Sequence, residues 1–315
     1  MRIVFMGTPE FAKASLEAVL ASRHEVVAVV SQPDRPKGRG QAMARPPVAE
    51  LAAARSIPLL QTDKTGTRAF REWVASHAPD LGVVAAFGHI LGARALATPR
   101  LGCINVHASL LPRWRGASPI AMAVLHGDAE SGVSIMRMDE GMDTGAVLAA
   151  RSVTLEARET SETLHDKLAA LGGAPLIETL DAIAEGRAQA TPQSSFGVTL
   201  APLLTKEDAA IDWSLPAAAI ERKMRAFHPW PGTRTTLGDS VLKLLPYASV
   251  VIGCAEAAPG TVLEAARGRV LVQTGDGALE LGAVQLEGKK AMPVQAFLAG
   301  HPLPEGTVLG ARASS

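Results

Sequence analysis

Cys103-Ile-Asn-Val-His-Ala-Ser-Leu-Leu-Pro-Arg-Trp-Arg-Gly116 begins as a short buried strand and breaks into a proline-containing loop. Ile104 and Val106 alternate with Asn105 and His107, and a period of two sets the amide and the imidazole on one face near the strand's end. Open α/β sheets keep their ligand sites at the carboxyl ends of their strands. Asn contributes an amide donor and His a proton that moves near neutral pH, a combination suited to carbonyl chemistry. Downstream, Met138-Asp-Glu-Gly-Met-Asp-Thr-Gly145 brings a carboxylate in a Gly-punctuated loop after another strand. Singly, Asn105 or His107 would cap a loop and Asp143 would fix a turn. Together they make a candidate catalytic set.

Around this stretch, Arg2 to Met6, Glu25 to Val30, Asp80 to Phe87 and Val133 to Met138 are apolar, β-branched runs between breakers. Alanine-rich stretches with helical spacing lie among them, at Phe11 to Ala21, Thr67 to Ser76 and Pro119 to Leu125. The alternation predicts parallel strands with crossover helices, an α/β doubly wound sheet. Thr160 to Glu185 reads as a long helix with a break or kink at Gly172-Gly173 and Pro175. Beyond Arg187 the text turns polar, aperiodic and rich in Thr, Ser and Pro, as a linker does. Then come one short helix, Ala217 to Ala226, and runs read as strands at Thr233 to Leu237, Val241 to Pro246, Thr261 to Glu264, Arg269 to Gln273 and Ala278 to Leu286. Short strands with glycine turns suggest a small barrel. The expected division is a first domain over 1–187, a linker over 188–204 and a β-barrel domain over 205–315.

The 315 residues exceed one typical domain, and no apolar run approaches the length of a membrane span. Met1 to Gly7 lacks the long apolar core and cleavage site of a signal peptide. Two distant cysteines, Cys103 and Cys254, make neither a disulfide framework nor a metal cluster, and the seven histidines other than His107 show no ligand spacing, so no metal is expected. A cytoplasmic protein fits best. Charge is balanced, with 31 basic and 31 acidic residues, 20 of each over 1–205 and 11 of each beyond. Any nucleic-acid contact therefore needs a local basic patch.

Such a patch is present. Gln32-Pro-Asp-Arg-Pro-Lys-Gly-Arg-Gly40 continues to Arg45, and between Arg35 and Arg45 stand Arg35, Lys37, Arg39 and Arg45 with no acid. Composition alone fits a solvated surface loop equally well as an arm that touches phosphates, its glycines allowing close backbone approach. Gly7-Thr-Pro-Glu-Phe11 turns from strand to helix, with one glycine where a dinucleotide fingerprint needs three, which disfavours a nicotinamide oxidoreductase.

Taken with Met138 to Gly145, the Cys103–Gly116 segment resembles the methionyl-tRNA formyltransferase family, and the likeness runs nearly end to end. Gly7 to Phe11, Gln32 to Gly40, Asp143-Thr-Gly145, Ile211-Asp-Trp-Ser214, Arg225 to Pro231 and Gly288 to Met292 all fall in the family's order. The Asn/His/Asp set marks the wider group of formyltetrahydrofolate-using enzymes. The basic loop and the second domain select the tRNA-directed member.

The resemblance implies a Rossmann-like formyltransferase domain followed by an oligonucleotide-binding-like barrel. It implies formyl transfer from 10-formyltetrahydrofolate to the amino group of methionyl initiator tRNA, for translation initiation. The family's catalytic trio maps onto Asn105, His107 and Asp143, and its folate contacts onto Ser109, Leu110, Leu111 and Pro112, with Phe87 to Leu91 a further pocket wall. Its tRNA-entering loop maps onto Arg35, Lys37, Arg39 and Arg45, with Arg39 the leading contact. A monomer that engages no membrane is expected. The sequence departs from the family at Ala108, where Gly is frequent, and at Gln41-Ala42, where lysines are frequent. The alternatives are a formyl transfer to a small amine such as glycinamide ribonucleotide, a formyltetrahydrofolate hydrolase, and a non-catalytic RNA-binding protein on the same scaffold.

Overall fold

Near-continuous apolar runs such as Ile3–Met6 and Ala28–Val30 are what strands need when both faces of a sheet are covered, and all seven of these residues are fully buried. The structure is a computed structural model that describes residues 1–37, 42–253 and 257–310. It divides into two units. The first takes in Met1–Pro119, Glu130–Thr154 and His165–Pro202, and the second Ile120–Ala129, Leu155–Leu164 and Leu203–Ser315.

In chain order the first unit's strands are β1 (Arg2–Gly7), β2 (Glu25–Ser31), β3 (Arg35–Lys37), β4 (Ala42–Ala44), β5 (Leu59–Gln61), β6 (Leu81–Ala85), β7 (Cys103–His107), β8 (Arg115–Gly116), β9 (Glu130–Arg137), β10 (Val147–Thr154) and β11 (Leu200–Ala201). Seven of them form one sheet in the order β10-β9-β7-β6-β1-β2-β5. The five from β7 to β5 run parallel. One face packs Val4, Met6, Ala28, Val30 and Val84 against Phe70, Val74, Ala95 and Leu96, from helices Arg68–Ser76 and Ala93–Leu96. Alternation turns Ile3 and Phe5 to the other face. Helix Glu10–Leu20 packs there against β1, β2 and β6, with Gly173–Ala184 beside it. Helices on both faces make the sheet doubly wound.

The expectation of parallel strands fails at one edge, because β9 pairs antiparallel with β7, and β10 antiparallel with β9. Period-two patterning fixes which side chains share a face but carries no strand direction, so both directions give the same signal. The edge strand β10 is mostly exposed or half-buried and lacks the apolar run that betrays a central strand. Helix Pro47–Ala54 and the short β5 were not among the expected elements. The expected break at Gly172-Gly173 separates helix Ser161–Leu171 from Gly173–Ala184. Pro175 stands in the first turn of the second helix, where its missing N–H costs nothing.

The second unit holds helix Ala217–Ala226 and two four-stranded antiparallel sheets around one core that includes Trp213, Ile220, Met224, Leu242, Val272, Leu279 and Phe297. Trp213 buries its ring and donates its indole N–H to Thr235 Oγ1 at 3.0 Å, so the polar tip is satisfied. The run Ala278 to Leu286, expected as one strand, is two. Ala278–Leu281 joins one sheet and Ala283–Leu286 the other. The hinge is Gly282, where any side chain would overlap the Tyr247 carbonyl oxygen. A strand that changes sheets at a glycine is how paired sheets turn a corner. No helix among the described residues is long and apolar enough to cross a membrane.

Candidate active site

β7 delivers Asn105, half-buried, and His107, 5% exposed. Asp143 follows β9, but the antiparallel pairing sets Arg137 opposite Ile104 and Ser134 opposite His107. The carboxyl end of β9 therefore lies beside the start of β7, and residues 138–146 must fold back along β7 to bring Asp143 to its partners. They do so. Asn105 Nδ2 donates to Asp143 Oδ1 at 3.4 Å, and His107 Nδ1 stands 3.6 Å from Asp143 Oδ2. The three residues read from the sequence as one set meet at one carboxylate.

The carboxylate is held from outside the trio. The Gly116 backbone N–H donates to Asp143 Oδ2 at 2.8 Å. Asp143 itself sits at φ +52°, in the left-handed region that Asp tolerates better than most residues. The imidazole is fixed from its far side, with Nε2 at 2.9 Å from the Trp114 carbonyl oxygen. A carbonyl only accepts, so Nε2 carries a hydrogen, and Nδ1 is the nitrogen that turns toward the carboxylate. The 3.6 Å gap there exceeds hydrogen-bond reach.

Behind these contacts lies a segment that sequence reasoning treated as a linker. Residues up to 202 of that stretch belong to the first unit. Thr191 and Val147 exchange two backbone hydrogen bonds of 2.8 Å, and β11 pairs with β8 in parallel. Thr199 Oγ1 accepts the Trp114 N–H at 2.8 Å, and Gln193 Nε2 donates to the carbonyls of Asp143 and Gly145 at 2.8 Å each. Trp114, Arg115, Gly116, Gln193 and Thr199 were all missed as contributors. Trp114, Gly116 and Thr199 act through backbone groups or one hydroxyl, and nothing in Thr191-Pro-Gln-Ser-Ser195 marks a site.

The proposed donor-contacting segment lies next to His107. Ser109 is fully buried, and its hydroxyl donates to the Arg113 carbonyl at 2.6 Å. Ser134 on β9 pins the segment, donating to the Ser109 carbonyl at 2.8 Å and accepting the Leu111 N–H at 3.1 Å. Leu110, Leu111 and Pro112 are half-buried, which leaves apolar surface for a ligand, and the Leu111–Pro112 peptide is cis. Of the proposed further wall, Phe87 and Leu91 are committed to the core, while Ile90 is 89% exposed. Within the basic stretch, β3 and β4 pair as the two strands of a hairpin, with Arg35 opposite Ala44 and Lys37 opposite Ala42. Arg35 and Arg45 are exposed. Arg39 lies outside the described residues.

Cys103 opens β7, and its closeness to the trio raises the question of a thiol nucleophile. Burial pushes its thiol up to about 12, and its sulfur contacts the Leu96 carbonyl at 3.7 Å. A protonated, buried thiol is inert. In a Cys254→Ser chain at pH 8, an aromatic disulfide reagent should titrate no thiol until denaturant is added. Rapid reaction of one thiol in the folded chain would return Cys103 to the list of nucleophiles. Among the described residues no group of three or more His, Cys, Asp or Glu side chains is placed to hold a metal ion.

Residues 1–180 match the family described as Formyl transferase, and residues 203–302 match Formyl transferase, C-terminal domain. A methionyl-tRNA formyltransferase of Myxococcus xanthus is 49% identical over 97% of this chain and 97% of its own. Another, from Pelobacter propionicus, is 46% identical over 99% of this chain and 97% of its own. Among solved structures, HypX from Aquifex aeolicus in complex with tetrahydrofolic acid superposes with a TM-score of 0.64 at 18% identity, over 95% of this chain and 47% of that one. At that identity the likeness is one of fold.

Proposed function

The chain belongs to the methionyl-tRNA formyltransferase family, and we propose that Asn105, His107 and Asp143 carry the family's reaction, formylation of the amino group of methionyl initiator tRNA. The donor in this reading is 10-formyltetrahydrofolate, lying against Ser109 to Pro112. The observation that carries it is the meeting of an amide donor, an imidazole and a carboxylate at 3.4 and 3.6 Å beside that half-buried segment. Full-length relatives bearing the tRNA-directed name leave glycinamide ribonucleotide without support as the acceptor.

The chemistry follows from what each group can do. An α-amine titrates at about 7.7–8.0 in simple peptides, so a sizeable neutral fraction exists near neutrality without a strong base. Its lone pair attacks the formyl carbon, the carbonyl becomes an oxyanion and the nitrogen becomes cationic. Asn105 Nδ2 donates to that oxyanion, moving away from a long 3.4 Å contact with Asp143 to do so. With Nε2 committed to Trp114, His107 acts through Nδ1, which donates to the oxyanion when protonated. Asp143 either charge-stabilises the imidazolium or takes the ammonium proton through a water, becoming neutral as it does so. Collapse of the intermediate breaks the bond to the folate nitrogen, which takes up the proton that the attacking nitrogen has given up, and forms the formamide.

The direct test is to incubate the protein with 10-formyltetrahydrofolate and charged initiator or elongator tRNA and to measure N-formylmethionine. Formylation of the initiator is expected. Its absence, or transfer to water alone, would sink the proposal. In the same reading the basic hairpin meets the tRNA. Arg39→Ala, and more weakly Arg45→Ala, should raise the tRNA concentration needed for half-maximal rate and leave folate binding intact, because a phosphate contact contributes binding and not chemistry. An unchanged dependence on tRNA concentration would make the hairpin an ordinary solvated surface.

A further inference from the structure

Gln193 uses every hydrogen-bonding position its amide has. Nε2 donates both hydrogens, to the carbonyls of Asp143 and Gly145, each at 2.8 Å. Oε1 receives both of its hydrogens from one guanidinium, from Arg115 Nε at 3.0 Å and Nη2 at 2.8 Å. A flipped amide would set its oxygen against two carbonyls and its NH2 against a cation, so only one orientation is allowed. Glutamate has no donors for the two carbonyls, and lysine has no acceptor for Arg115. The position is built for this amide.

What the amide holds is the candidate carboxylate. Its two acceptors flank Thr144, so it grips the backbone that carries Asp143 in the left-handed region at φ +52°. Its anchor, Arg115, immediately precedes Gly116, whose N–H donates to Asp143 Oδ2. Gln193 thus links the main chain of residue 143 to the strand that holds the same residue's side chain. We propose that Gln193 is a positioning residue for formyl transfer, clamping Asp143 at the distance from His107 Nδ1 and Asn105 Nδ2 that the reaction uses. The proposal rests on the reading that this site transfers a formyl group, and it adds a residue that touches neither substrate.

Gln193→Met keeps the volume and removes all four hydrogen bonds. Gln193→Glu keeps the contact with Arg115 and removes only the two donors. Both should lower kcat by about 10- to 100-fold, the scale on which small misplacements act. KM for tRNA and for folate should stay within about twofold, because no binding contact is lost. A second readout needs no substrate. The Gly116 amide, which donates to Asp143 Oδ2, should exchange its hydrogen at least about tenfold faster in both variants, while exchange in β1, β2 and β6 is unchanged.

Wild-type kcat in Gln193→Glu, or an unaltered Gly116 amide, overturns the proposal. So does a fall in activity matched by raised KM for both substrates and by faster exchange throughout the sheet, which would mark Gln193 as general structural support. If the unmodified chain forms no formylmethionyl-tRNA, the functional reading fails, and Gly116 exchange still reports whether the clamp on Asp143 exists.

Discussion

Single-turnover formyl transfer by Asn105→Ala is expected to be slower than that of the unmodified chain by about 10²–10³, the usual cost of removing one oxyanion donor. His107→Ala should lose about 10²–10⁴, the range for a group that moves or presents a proton. In both, binding of charged tRNA should survive, since neither side chain lies on the basic hairpin. The two variants differ in stability. Asn105 is half-buried and its 3.4 Å contact is long, so alanine there costs little. His107→Ala removes a buried hydrogen bond to the Trp114 carbonyl, at about 0.5–1.5 kcal/mol for a typical one. Rates are therefore to be compared well below the melting midpoint of the weaker variant. A near-normal rate from either protein would remove that residue from the chemistry.

Gly145→Ala should have the largest effect on stability. A Cβ at that position would overlap the Arg137 carbonyl oxygen, and Arg137 cannot retreat, because its own N–H is bonded to the Ala146 carbonyl at 2.9 Å. Two main-chain segments must part to admit one methyl group, at a cost of about 3 kcal/mol or more. That corresponds to a melting shift of roughly 6–12 °C for a domain of this size. The same displacement carries off the Gly145 carbonyl that Gln193 grips and Asp143 two residues before it, so activity should collapse further than stability. Gly66→Ala is the control, because nothing lies within 4 Å of its would-be Cβ and its φ is ordinary. Equal melting temperatures for Gly145→Ala and Gly66→Ala would show that the loop yields where the packing says it is rigid.

The face that carries the proposed catalytic residues was legible in the sequence because its information is local. Alternation in Cys103-Ile-Asn-Val-His107 gave the strand's bounds, and the same alternation set the amide beside the imidazole. Asp143 was legible as a loop carboxylate, but not the direction from which it arrives, since β9 has the same period either way up. Gln193 was not legible at all. Its role comes from a fold that returns the chain to a loop fifty residues earlier, and a glutamine among Thr, Pro and Ser has the composition of any exposed connection. Ala278 to Leu286 failed for the reverse reason. Its apolar pattern is continuous, and only the steric demand at Gly282 shows that it bends between two sheets.

The tethers from Gln193 and Thr199 carry a consequence for how the protein is made. Asn105, His107 and Asp143 leave the ribosome before residues 191–201, whose bonds to Trp114, Gly145 and Val147 hold the trio in register. A nascent chain thus carries the three proposed catalytic groups for dozens of elongation cycles before these tethers can form. Stop codons or pauses falling between the codons for residues 144 and 190 would release or hold a chain that bears all three groups without the tethers from Thr191, Gln193 and Thr199.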